Sequence, residues 1–398
     1  MLKKNELTKK EAYRGFAVAS LAHVVIFMSI SSPIPLYGVY QENFGMTNSD
    51  FAYTMLVYII GVIFPLAFLG RISDAIGRKN AALIGIALAI AGALAFALAS
   101  STQSVLAARA VQGFAGAFSM SSVCTLVVDS ISKYKLGWAS LVISCGSLLG
   151  IVIGSIMSGN VYAVTGSMNA VYMIDAICLT ASAVLVATLA KEPLASRKRF
   201  SQVVIPKLLV PKGSTILFVV ICLVFGASWN IGNFYQSYTP AVVLEYFHSD
   251  STVASSVVLA SIMAPSILAG PLTLRIQPMV AIKIGVIMLA SSAVVLLICM
   301  HYGSLPIFIV ATCFASFSLG TCLTNSMRVM LLSVEDVQTS FIIASVNLVA
   351  YVETGLVSFV SSMFVNQTSP LAVFAFTGAI CLVAALAVFT VNPAGSRS

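Results

Sequence analysis

Gly70-Arg71-Ile72-Ser73-Asp74-Ala75-Ile76-Gly77-Arg78-Lys79 stands between two long apolar runs, residues 51–69 and 81–100. Each run is long enough to cross a bilayer, which takes ~20 apolar residues. The turn therefore joins two helices that leave and re-enter the membrane at one face. Arg71, Arg78 and Lys79 make it basic, as an inner loop that orients helices would be. Orientation alone does not require Asp74, nor the Gly70 and Gly77 spacing.

The whole chain repeats this pattern. Its 398 residues are 59% hydrophobic and 9% charged, with a mean hydropathy of +1.01. A soluble domain carries about 25% charged residues. The predicted fold class is an all-α membrane protein, with spans near residues 15–37, 51–69, 81–100, 104–127, 137–159, 168–190, 214–238, 252–274, 281–300, 304–331, 339–363 and 371–391. The net charge of +8 does not point to nucleic acid. With twelve spans the basic clusters fall on one side: Lys3, Lys4, Lys9, Lys10 and Arg14, then the turn, Lys133 and Lys135, and the run from Lys191 to Lys212. The opposite loops, residues 41–50 and 245–251, hold no Lys or Arg. Positive charge marks the inside, so both termini are expected in the cytoplasm of a bacterial-type inner membrane. The first span reads as retained rather than as a cleaved signal, because its apolar stretch is long and no small-residue cleavage site follows Pro33 and Pro35.

The eight cysteines all fall within spans and form no CxxC pair, so neither a metal cage nor a disulfide framework is expected. No Walker loop or G-x-G-x-x-G is present. No cofactor is expected. The longest inner connection, with Pro193, Pro206 and Pro211, divides the chain into a bundle at 1–190, a linker at 191–213 and a bundle at 214–398. Parallel repeats of this kind build a central cavity with the substrate near the midplane. Gly270 stands at the place in the second half that Gly70 holds in the first, but no acid follows it.

At this point the residues resemble the major facilitator superfamily. Its motif after span 2, G-x-L-x-D-x-x-G-R-[RK], is matched by Gly70, Asp74, Gly77, Arg78 and Lys79, with Ile72 for Leu. Its span-4 motif, R-x-x-Q-G, is matched by Arg109, Gln112 and Gly113, and Gly116 follows. The antiporter motif of span 5, G-P-x-x-G-G, is only partly kept in Gly150-Ile151-Val152-Ile153-Gly154-Ser155. Gly146, Gly150 and Gly154 still recur every fourth residue and would let helices approach. Pro33 to Tyr37 and the stretch from Gly61 to Gly70 look most like the drug and sugar efflux group. The resemblance implies two six-helix bundles, alternating access, and a proton gradient as the energy source; a monomer is expected. It also implies that Arg109 takes part in proton coupling, and that Asp74, Arg78 and Asp129 form a relay locking the outward-open form.

Ionisable groups inside a bilayer cost ~2.5–3.5 kcal/mol each even on insertion scales, so each needs a partner or a task. Arg109 shares a helix face with Gln112, Gly113, Gly116 and Met120. Its permanent charge would favour the ionised form of a nearby carboxylate or hold a substrate anion; a structural ion pair is the plainer reading. Glu353, near the middle of span 11, is a candidate proton carrier or a structural hydrogen-bond partner. Asp175 lies about 7 residues inside span 6, ~10 Å deep, and reads either as a structural group near the interface or as a proton site. His23, ~12 Å into span 1, is either a packing residue or a titrating one. Asp74 could also face the amino end of span 11 near Thr339 and Ser340, where free N–H groups favour an anion.

Span 7 closes with Trp229-Asn230-Ile231-Gly232-Asn233-Phe234-Tyr235-Gln236-Ser237-Tyr238. Such polar density is not expected to face lipid. Trp229, Asn230 and Asn233 are therefore substrate-binding candidates. Gln112, Tyr37, Tyr58 and Asn347 could join them, while Tyr40 and Tyr238 fit an aromatic belt at the outer interface. An aromatic, weakly charged cavity suits amphipathic or cationic ligands. Three readings follow: a proton-coupled exporter of small amphipathic compounds, a proton-linked importer of a sugar or other metabolite, and a membrane sensor or enzyme. No nucleophile–base pair or output domain supports the last.

Overall fold

The computed structural model describes residues 7–69, 72–191, 215–333, 339–366 and 369–390. Gly70, Arg71, the linker from residue 192 onward and the side chains of Thr339 and Ser340 lie outside that description. Among the described residues, twelve helical segments are long and apolar enough to cross a membrane. Isoleucines and leucines such as Ile60, Ile177, Leu272, Leu356 and Leu386 stand exposed on their outer faces. In water such a surface would aggregate; in a bilayer it faces lipid.

The chain divides into two compact units, Met1–Met46 with Leu56–Pro206, and Thr47–Met55 with Lys207–Ser398. In the first unit, α1 (Lys9–Ser31) starts at a capping box between Thr8 and Glu11 and packs along α7 (Cys124–Thr165) and α8 (Met168–Leu189). The first apolar run is not one helix. Pro33 and Pro35 each lack an N–H, so α1 ends at Ser31, a 3-10 turn covers Ile34–Leu36, and α2 (Tyr37–Phe44) restarts the path. The next elements are α3 (Asn48–Leu69), the short α4 (Ser73–Ile76), α5 (Arg78–Ala97) and α6 (Thr102–Phe118). A π-helical turn, Ser119–Val123, joins α6 to α7. Within α7 the backbone leaves helical geometry at Lys135, which separates spans four and five.

The second unit holds α9 (Thr215–Phe247), α10 (Thr252–Thr273), α11 (Pro278–Tyr302), α12 (Leu305–Leu332), α13 (Thr339–Phe364) and α14 (Pro370–Thr390). α9 packs on α12, α13 and α14, and α12 packs on α10 and α11. The seventh span runs through Pro240 to Phe247, well beyond the expected end at residue 238.

The glycines of the fifth span set the closest approach in the first unit. A Cβ at Gly150 would meet Phe27 Cβ at 2.7 Å and press on the Val24 carbonyl; one at Gly154 would strike the Met28 carbonyl and Ser31 Oγ. Two helix backbones thus touch without side chains between them.

Candidate functional site

Arg109 organises the first unit. It is 2% exposed, on α6, and meets the break between α1 and α2. Its Nε donates to Tyr37 Oη at 2.9 Å, and Nη2 donates to the same oxygen. Nη1 donates to the Ile30 carbonyl at 2.7 Å and to Gln112 Oε1 at 2.8 Å. The guanidinium also stands 5.5 Å from the Tyr37 ring centroid and 5.8 Å from that of Phe96. Gln112 completes the arrangement by donating to the Ser29 carbonyl at 2.9 Å. That bond has a local cause. In a helix the Ser29 carbonyl would accept from residue 33, which here is proline. Arg109 and Gln112 therefore satisfy groups beside the broken turn. Among the described residues Arg109 is in no ion pair.

Asp175 lies inside the first unit. It is fully buried, accepts from Ser32 Oγ at 3.1 Å through Oδ1, and leaves Oδ2 without a partner. His23 is also buried; Nδ1 lies 2.9 Å from Ser119 Oγ in the π turn, and Nε2 has no partner. Tyr58 packs under Gly116, where a Cβ would lie 2.9 Å from its hydroxyl. Tyr40 is not part of an exposed belt. It is 1% exposed and hydrogen-bonded to Tyr172, whose ring stacks on Phe96 at 5.4 Å. The belt reading fails for Tyr238 as well, which is 2% exposed.

At the far end of α3 the charged turn closes on itself. Arg78 donates through Nε to Asp129 Oδ2 at 3.0 Å, through Nη1 to Ser73 Oγ at 2.6 Å, and pairs with Asp74. Lys79 donates to the Ala187 carbonyl in the last turn of α8 at 2.5 Å, where a cation also meets the negative end of the helix dipole. Gly77 takes φ 98° and ψ 149°, a region open essentially to glycine alone. This conformation turns the chain from α4 into α5 and brings Arg78 back over Asp74.

In the second unit Glu353 lies on α13 against α9. Asn230 Nδ2 donates to its Oε1 at 3.3 Å, and Gly226 makes room for it, since a Cβ there would collide with the carboxylate. Trp229 is half-buried beside it, with its ring 4.6 Å from Tyr351 and 5.5 Å from Phe225. Asn233 donates to Ser358 Oγ at 2.9 Å. Asn347 is half-buried on α13. Tyr37, Tyr58 and Gln112 belong to the other unit, with their polar ends directed to α6 or α1. No group of three or more metal-ligating side chains occurs among the described residues.

The sequence profile of the Major Facilitator Superfamily matches residues 19–302. The chain belongs to that superfamily. It is a superfamily transporter, with the all-α, twelve-span fold of two six-helix bundles. Among relatives, it is 28% identical over 138 residues to the Quinolone resistance protein NorA of Staphylococcus aureus, a stretch that is 34% of this chain and 36% of the relative. It is 23% identical over 223 residues to Multidrug resistance protein 3 of Bacillus subtilis, covering 55% of this chain and 41% of the relative. The matches thus span well under half of either relative's length.

Several polar residues of this superfamily member escaped the sequence reading. Ser237, Ser358 and Ser361 share a pocket with Asn230 and Asn233, Thr354 stands one turn before Ser358 on α13, and Tyr172 holds Tyr40. The signal for the first group was available as helical spacing: 230, 233 and 237 on one helix, 354, 358 and 361 on the other. Buried polar groups left without partners cost about 1–3 kcal/mol each, so such a line is not filler.

Proposed function

We propose that the protein is a proton-coupled exporter of small amphipathic compounds, working by alternating access as a monomer in a bacterial-type inner membrane, with both termini in the cytoplasm. The observation that carries this reading is Glu353. It is a carboxylate within a span, held by one amide, with no cation paired to it among the described residues. An intramembrane carboxylate without a counter-charge is suited to taking up and releasing a proton. Beside it, the Trp229, Tyr351 and Phe225 rings offer apolar faces that attract amphipathic and cationic ligands. The relatives named for quinolone and multidrug resistance favour export over uptake.

The other residues take subordinate roles in this reading. Arg109 and Gln112 are positioning residues that hold the α1–α2 break. Asp175, buried against that break through Ser32, and His23, buried against the π turn through Ser119, are secondary proton sites. Asp74, Gly77, Arg78, Lys79 and Asp129, with Gly70, form a conformational latch. Asn230 and Asn233 orient Glu353 and the edge of the substrate site, Asn347 stands as a further substrate contact, and Tyr37 and Tyr58, with their hydroxyls turned to α6, support the first unit.

Reconstitution in proteoliposomes with an imposed pH gradient and a chemically diverse panel tests the reading. The wild type should extrude amphipathic compounds when the gradient is applied. Glu353→Gln should lose that response while still catalysing downhill counterflow. Accumulation of a sugar or metabolite with inward proton flow would replace export by import. Flux insensitive to the gradient would remove proton coupling altogether.

A further inference from the structure

Two rows of polar side chains face each other inside the second unit. Asn230, Asn233 and Ser237 lie three and four residues apart on α9; Thr354, Ser358 and Ser361 lie four and three apart on α13. Their register rises together. Asn230 bonds Glu353, Asn233 bonds Ser358, and Ser237 and Ser361 line the same pocket beyond them. The two helices therefore run parallel here, and the seam climbs from Glu353 toward their C-terminal ends over ~12 Å of helical rise.

The seam is buried yet unsatisfied. Both asparagines use Nδ2 on a neighbour, which leaves Asn230 Oδ1 and Asn233 Oδ1 without a donor. Ser237 Oγ, Tyr238 Oη, Thr354 Oγ1 and Ser361 Oγ also lack partners. These are six of the fourteen such atoms among the described residues, and five of them, all but Thr354 Oγ1, belong to residues lining one pocket. All six residues are between 0% and 6% exposed, so bulk water does not reach them. That pocket, which Ser358 and Thr377 also line, offers about 10 Å³ to the centre of a water molecule, close to the least that one water needs.

We propose that this seam holds bound water and is the path by which a proton reaches Glu353 from the C-terminal ends of α9 and α13, the outer side in the topology proposed above. The amide oxygens can only accept, whereas the four hydroxyls both donate and accept. Water meets both needs; a bare metal cation would leave the hydroxyl protons unpaired. The amides anchor the waters, and waters and hydroxyls relay the charge. A hydronium at the mouth gives up one proton, each hydroxyl or water along the seam accepts one and passes one on, and the Glu353 carboxylate becomes a carboxylic acid. Among the described residues, the thiols of Cys222 on α9 and Cys381 on α14 are close enough to Glu353 to feel its charge.

The inference rests on the proton-coupling reading, and the experiment separates the two. The paired variant Ser237→Val/Ser361→Val fills the pocket with methyl groups. In proteoliposomes it should slow gradient-driven extrusion about tenfold, or about 1.4 kcal/mol on the barrier, with equilibrium substrate binding and gradient-free counterflow unchanged. Ser237→Thr/Ser361→Thr keeps the hydroxyls and should keep the rate. If the valine pair fails to insert, Ser361→Val and Ser361→Ala decide: alanine admits a further water and should remain fast. A gradient-responsive wild type with an equally fast valine variant would overturn the path and leave coupling standing. Equal slowing by alanine and valine would overturn it in favour of a packing role for Ser361. A wild type driven by a saturable sodium or lithium requirement would make the seam a cation site instead. A wild type indifferent to any gradient would remove both readings.

Discussion

Replacing Pro33 by alanine should release Gln112 from its structural duty. Ser32 and Pro33 have helical dihedrals, φ −54° with ψ −37° and φ −72° with ψ −18°. An alanine N–H at position 33 would therefore point at the Ser29 carbonyl, the group that Gln112 Nε2 now satisfies at 2.9 Å. In the wild type, Gln112→Leu removes that donor and also the Oε1 acceptor of Arg109. In the Pro33→Ala background only the second loss remains. The difference is one buried hydrogen bond in a membrane interior, worth about 0.6–1.7 kcal/mol, or roughly 3- to 16-fold in the folding equilibrium at 1.4 kcal/mol per tenfold. A double-mutant cycle measured by denaturant titration in detergent reads it directly. Gln112→Leu should cost less by that amount when residue 33 is alanine. Equal costs in both backgrounds would refute the argument that Gln112 compensates the proline.

Arg109→Ala should abolish gradient-driven transport with insertion intact, and Arg109→Lys should restore little of it, since the three donors of an ammonium radiate from one nitrogen and do not reproduce the planar fork that spreads bonds over Tyr37, the Ile30 carbonyl and Gln112; vesicle transport beside detergent chromatography checks both. Gly77→Ala places a side chain at φ 98°, a strain of about 1–3 kcal/mol, and should slow turnover more than it weakens substrate binding; equal turnover would remove the turn from the transport cycle. Gly154→Val should separate α1 from α7 and lower the unfolding temperature, whereas Gly38→Ala, with no atom near its added carbon, should not.

The spans were legible because a bilayer imposes one length and one polarity on every crossing, and the run at 168–190 ends within a residue of the observed α8. What sequence alone missed were interruptions and pairings. Pro33 and Pro35 announced a break, but not that Arg109 and Gln112 would serve the carbonyls beside it. The π turn at Ser119–Val123 has no compositional mark. The serine rows were silent because most membrane serines bond their own helix, as Ser228 does to the Val224 carbonyl; only the partner helix shows which do not. Tyr40 and Tyr238 looked like interface residues because tyrosine is ambiguous between belt and core until a neighbour such as Tyr172 is known.

The π turn has a consequence for how the first unit is phased. Arg109 and Asp129 stand on one continuous helical path, on either side of Ser119–Val123. One π turn accommodates an extra residue, and each residue is worth about 100° of rotation around the axis. Without it, a helix aimed to put Arg109 at the α1 break would swing Asp129 roughly a quarter-turn away from Arg78. The turn is thus an angular splice that lets one rod present two chemically unrelated faces, with His23 resting on the joint through Ser119. Shortening the 119–123 segment by one residue would re-aim the whole second half of the rod while leaving every side chain outside that segment intact.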